Sequence, residues 1–141
     1  RSAFTAPVFP DIKYGREDLY PSIIAIDNHY VNAYMDNLNV IHQPEVDKWS
    51  SNSIYLKEVI IKGNAGLLTV KYLLYPRIFY PVLFAAFLAR WFIYLRKEKG
   101  ALIKSYRLFK EQVRNNKCLQ KKIKTRTVLT IMREFGVRAG V

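Results

Sequence analysis

Residues 78–95 read IFYPVLFAAFLARWFIYL, an apolar run broken by one charge, Arg90, and fenced by Arg77 on one side and Arg96-Lys97 on the other. A helix that is apolar on every side must be surrounded by apolar matter, either a protein core or the acyl chains of a bilayer. A hydrocarbon core about 30 Å thick takes roughly 20 helical residues. The rise from Arg77 to Arg96 is about 28 Å at roughly 1.5 Å per residue. If LLTVKYLLYP continues the same helix, it covers about 67–96 and reaches the headgroup zones.

Insertion energies favour the bilayer. Ten Leu, Ile, Phe and Val residues lie in the run, each worth roughly −0.3 to −0.6 kcal/mol near the centre, against roughly 2.5 to 3.5 kcal/mol for Arg90. Arg90 stands close enough to Arg96 for its long stem to reach headgroups. Tyr72, Tyr75 and Tyr80 gather at one end, Trp91 and Tyr94 at the other, where amphipathic rings meet water. Pro76 and Pro81 should bend the N-terminal half, which neighbouring helices can support. The expectation is a single transmembrane helix. A buried helix of a soluble bundle and a helix lying in the membrane plane are the alternatives.

The net charge of +12 is unevenly placed. Residues 1–66 carry six Lys/Arg against eight Asp/Glu, whereas residues 96–141 carry fourteen Lys/Arg against three Glu. Nearly all the excess follows the apolar run, so an anionic partner, lipid or nucleic acid, belongs near the C-terminal part. By the bias of Lys/Arg toward the inner face, residues 97–141 lie in the bacterial cytoplasm or the mitochondrial matrix. A start at Arg1 without an initiator Met fits a chain whose targeting segment has been removed.

The rest reads as short helices. Residues 1–66 form an extramembrane part: an extended arm with Pro7, Pro10 and Pro21, then two helices. Ile23, Ile26, Tyr30, Tyr34 and Leu38 make one amphipathic stripe between Pro21 and Pro44. SSNSIYLKEVIIKGNAG supports a helix of two to three turns, stopped by Gly63 and Gly66. After 67–96, residues 97–141 hold two basic amphipathic helices. One has Leu102, Tyr106, Phe109 and Val113 on its apolar face, the other Val128, Ile131, Met132 and Phe135, ending at Gly136. No strand alternation or long-period repeat appears. The fold class expected is all-α.

Chemistry is hard to find. His29 and His42 have no Cys, Asp or Glu at ligand spacing, so neither metal nor cofactor is expected. Asp27-Asn28-His29 lacks a nucleophile in a recognisable setting, and Gly63-Asn64-Ala65-Gly66 lacks the ending and preceding strand of a phosphate loop. Asp11, Glu17 and Asp18 read as a solvated acidic loop. Cys118 stands alone among Lys117, Lys121 and Lys122, and a single thiol makes no disulfide framework. An enzyme is not expected.

Cations near the two ends of the run are the candidates for contact with an anionic, cardiolipin-like phospholipid: Arg77, Arg90, Arg96, Lys97, Lys99, Lys104 and Arg107. Each is worth about 1 kcal/mol near an anionic surface. The same basic residues could neutralise RNA phosphates. KSYRLFKE, followed by IMREF, partly resembles the Leu-Tyr-Arg motif helices that dock on a mitochondrial acyl carrier protein. Only Tyr106-Arg107 and Phe135 match, Ser105 replaces the leading Leu and a third helix is missing, so no function is built on it. In architecture, the chain resembles the supernumerary subunits of mitochondrial inner-membrane complexes. The function expected is therefore a non-catalytic accessory subunit of the respiratory chain or ATP synthase, in contact with other subunits and lipid. The alternative is a basic RNA-binding protein of a mitochondrial ribosome.

Overall fold

The computed structural model describes residues 10–12, 18–30 and 53–140. Every regular element among them is helical. In chain order they are α1 (Leu19–Asp27), α2 (Ser53–Leu74), a 3-10 turn (Arg77–Phe79), α3 (Tyr80–Leu95), α4 (Ala101–Asn115), a second 3-10 turn (Lys117–Leu119), α5 (Thr125–Phe135) and α6 (Val137–Gly140).

Helix α1 is shorter than its stripe suggests. Asn28 closes it, its backbone N–H turning back to Ile24 and Ala25 and its side-chain amide donating to the Ile24 carbonyl at 2.8 Å. His29 then adopts a left-handed φ of 65°. The buried face is Tyr20, Ile23, Ile24 and Asp27, while Tyr30 is exposed. Tyr34 and Leu38 lie outside the described residues, as do Pro44 and most of the N-terminal arm.

The helix expected over 67–96 is divided. Residues 67–74 are the last turns of α2, and the chain turns at Tyr75-Pro76 before α3 begins. Two local effects end α2 there. Proline disfavours α geometry in the residue before it, and the exposed carbonyls at the helix end find partners elsewhere in the fold. The Leu74 carbonyl accepts the Ile123 N–H at 2.8 Å, and Lys122 Nζ donates to the Tyr72 and Leu73 carbonyls at 2.6 and 3.2 Å. Pro81 does not sit at a mid-helix bend as expected. It occupies the first turn of α3, where no backbone donor is missed.

Gly63 and Gly66 do not stop α2, which runs through both for 22 residues. Packing overrides the weak propensity: α2 lies between α3 and α4, and Asn64, Ala65, Gly66, Leu68, Thr69 and Val70 are all buried. Contacts along the bundle fix the directions. Ile61 meets Ser105 and Thr69 meets Gln112, so α4 runs parallel to α2. Tyr72 meets Tyr80 and Asn64 meets Arg90, so α3 runs antiparallel to both.

The core forms around Leu68, Leu74, Tyr75, Leu83, Phe87 and Phe109. Phe109 receives Tyr72 edge-on at 5.3 Å and Phe84 at 5.8 Å. A smaller cluster of Ile61, Leu95 and Ala101 closes the other end, beside the α3–α4 connection. There Gly100 supplies a φ of 76° that side-chain-bearing residues rarely adopt. Helices α1 and α5 cover the Tyr75 end. Tyr20 donates to the Leu119 carbonyl at 2.7 Å, and burial raises its pKa.

Candidate membrane-contact surface

Helix α3 with its preceding turn, Arg77–Leu95, is long and apolar enough to cross a membrane, and 17% of that stretch is buried by the rest of the chain. Its packing is one-sided. Leu83, Phe87 and Leu95 face α2 and α4. On the opposite side Val82, Ala85, Leu88, Ala89, Phe92 and Ile93 are exposed, at the three- and four-residue steps of a single helical face. Ile93 is 65% exposed and Phe92 55%. This stripe contains no polar side chain.

The seven candidate cations separate into groups. Arg96, Lys97 and Lys99 are exposed at the C-terminal end of α3, where the Arg96 guanidinium sits 5.2 Å above the Phe92 ring. Arg77 is exposed at the other end, about 28 Å away at roughly 1.5 Å per residue. These four border the apolar face. Arg90 is turned inward, its Nε donating to Asn64 Oδ1 of α2 at 2.9 Å. Asn64 in turn reaches the Phe87 carbonyl at 3.4 Å, so Arg90 serves the α2–α3 packing.

Lys104 and Arg107 lie on α4, lining a groove of about 610 Å³ between α2 and α4 together with Lys62, Glu58 and Glu111. Lys104 pairs with Glu58 at 2.6 Å and Lys62 with the same carboxylate at 3.3 Å. The hydrogen bonds from Lys104 and Lys62 hold the Glu58 carboxyl below its ordinary range. A further pair, Lys57–Glu98 at 2.6 Å, ties α2 to the α3–α4 connection.

Two sets of residues escaped the sequence reading. The first is a buried polar seam along α4, facing α2 and, just past its C-terminal end, the Asp11 backbone. Ser105 donates to the Ile61 carbonyl, Thr69 to Gln112 Oε1, and Asn116 exchanges hydrogen bonds with the Asp11 backbone. Ser105, Phe109, Gln112 and Asn116 recur at steps of four, three and four, so their shared face was visible in the spacing. The second is Lys122, whose ammonium lies 5.4 and 5.1 Å from the Tyr72 and Tyr80 ring centres. Burial, then the nearby Arg77 charge, lowers its pKa to about 8. No sequence pattern marks it among the other lysines of that stretch.

Asp27 is a structural anchor. Its Oδ1 accepts the Lys124 N–H at 3.0 Å and the Thr127 hydroxyl at 2.6 Å, at the start of α5. His29 and Cys118 are exposed. Among the described residues no group of three or more His, Cys, Asp or Glu is placed to hold a metal ion. No family model matches the chain, and no match is found among curated proteins or solved structures.

Proposed function

We propose that this chain is a non-catalytic accessory subunit of a multi-subunit inner-membrane complex of the respiratory-chain or ATP-synthase kind. Its role is structural, with contact to other subunits and to anionic phospholipid. The observation that carries this reading is the apolar face of α3 that the described residues leave exposed, bordered at both ends by exposed Arg77, Arg96, Lys97 and Lys99. Exposed apolar patches of this kind mark sites of protein or membrane contact. Cations beside such a face draw it toward anionic headgroups. The basic C-terminal half belongs on the matrix side, by the bias of Lys/Arg toward the inner face.

Flotation of mitochondrial membranes through a density gradient at physiological salt tests the membrane part. The chain is expected with the floated membranes, and its recovery in the soluble fraction would overturn the reading. Purification in mild detergent, with partners identified by mass, tests the accessory role: co-purifying subunits of one inner-membrane complex are expected. The second reading, a basic RNA-binding protein of a mitochondrial ribosome, is favoured by the exposure of Lys110, Arg114, Lys117, Lys121, Lys124 and Arg126. It requires release by high salt without detergent and recovery with ribosomal particles.

A further inference from the structure

We infer that the bundle lies lengthwise on an anionic lipid surface, with the exposed face of α3 half-embedded, and does not cross the bilayer. The inference rests on the membrane reading above and specifies its geometry. The decisive relationship is between α3 and α4. Leu95 and Ala101 share one apolar cluster, and the Phe84 and Phe109 rings meet edge-to-face at 5.8 Å. Helix α4 therefore runs back along α3, with its first two turns beside residues 84–95.

Those turns are not apolar. Lys104, Arg107 and Lys110 are exposed there, followed by Glu111 and Arg114. Standing α3 upright across a membrane would carry these charges to hydrocarbon depth with it. Ionised side chains are strongly disfavoured at that depth, and most of these are further from water than their stems can reach.

Laid flat, the same bundle meets no such conflict. The Val82, Ala85, Leu88, Ala89, Phe92 and Ile93 stripe enters the acyl boundary, as the apolar faces of interfacial helices do. Arg77 at one end and Arg96, Lys97 and Lys99 at the other stay at headgroup level, and α4 remains in water. Charge complementarity selects the partner. The exposed groups bordering the stripe are cationic, which matches anionic lipid.

Depth measurement on the full chain tests this. With Cys118→Ser as background, single cysteines at Val82→Cys, Ala85→Cys, Ala89→Cys and Ile93→Cys carry a nitroxide, all at exposed positions on one stripe. Helix content matching the parent's establishes that each variant is folded. In vesicles of phosphatidylcholine and cardiolipin, the oxygen-to-nickel accessibility ratios should agree within about twofold along the stripe. Omitting cardiolipin should weaken binding by roughly tenfold or more. A ratio that peaks at Ala85 and Ala89 and falls at Val82 and Ile93 means a crossing helix; it overturns this inference and leaves the membrane reading standing. Labels that stay water-exposed with vesicles at every position overturn both. Equal binding without cardiolipin overturns the anionic partner. Shielding found only in the purified native complex assigns the face to a protein and also overturns the inference.

Discussion

The Thr69 hydroxyl of α2 lies 2.8 Å from Gln112 Oε1 of α4 and 2.9 Å from the Ala65 carbonyl, so one proton serves two buried acceptors. Thr69 is fully buried and Gln112 nearly so. Thr69→Val would leave the Gln112 oxygen without this donor. An unsatisfied buried polar atom costs about 1–3 kcal/mol, whereas removing both partners together can be nearly neutral. Urea unfolding of the detergent-solubilised chain should therefore show a loss for Thr69→Val and for Gln112→Leu, with partial recovery in the double variant. Losses that simply add would mean that the two side chains are not coupled.

Asp27 joins α1 to α5 across about a hundred residues of chain, accepting from both the Lys124 N–H and the Thr127 hydroxyl. Its carboxylate also faces the positive end of the α5 dipole. Asp27→Ala should lower stability by about 1.5–3 kcal/mol, the range for hydrogen bonds to a charged group. The loss should be local. Amide exchange is expected to accelerate over 125–131 while the α2–α4 seam keeps its protection. Uniform acceleration through the chain would contradict a role confined to anchoring α5.

Lys122 makes stability depend on alkaline pH. Burial, followed by the Arg77 charge, lowers its folded pKa from 10.5 to about 8. Below about 8 the amine is protonated in both states and contributes no slope. Between about 8 and 10.5 the unfolded chain holds the extra proton, so stability rises with pH and levels off above that window. Lysine NMR titration should find one midpoint near 8, and Lys122→Met should remove it together with the slope. A midpoint at the ordinary lysine value would show that the Tyr72 and Leu73 carbonyls and the two tyrosine rings stabilise the cation enough to cancel burial.

Helical content and the exposed apolar run were legible because both depend on local composition and period. The packing of the run was not. Fully apolar composition does not say which face a neighbour covers, and Leu83, Phe87 and Leu95 are distinguished from Leu88 and Phe92 only by where α2 and α4 lie. The apolar face assigned to α4 was rotated for a related reason. Leu102, Tyr106, Phe109 and Val113 look like the core stripe, but Tyr106 is exposed while Ser105, Gln112 and Asn116 are buried. Polar residues enter an interior when their partners do: Ser105 and Gln112 find theirs on α2, some 40 residues earlier, and Asn116 finds its own on the Asp11 backbone. Arg90 shows the same limit: distance along one helix pointed to headgroups, and Asn64 on another helix took the guanidinium.

Gly63 and Gly100 give opposite tests of the same backbone argument. Gly63 lies inside α2, and a Cβ there would meet nothing within 4 Å. Alanine at that position keeps the helical geometry and removes conformational freedom from the unfolded chain, a gain of about 0.5–1 kcal/mol. Gly100 also has open space around it, but its φ of +76° is one that alanine adopts at a cost of about 1–2 kcal/mol. Gly63→Ala should therefore raise the urea midpoint and Gly100→Ala lower it, although neither substitution creates a clash. A loss at Gly63 would mean that α2 is not continuous through this position, and the antiparallel α2–α3 pairing that leaves one face of α3 bare would have to be redrawn.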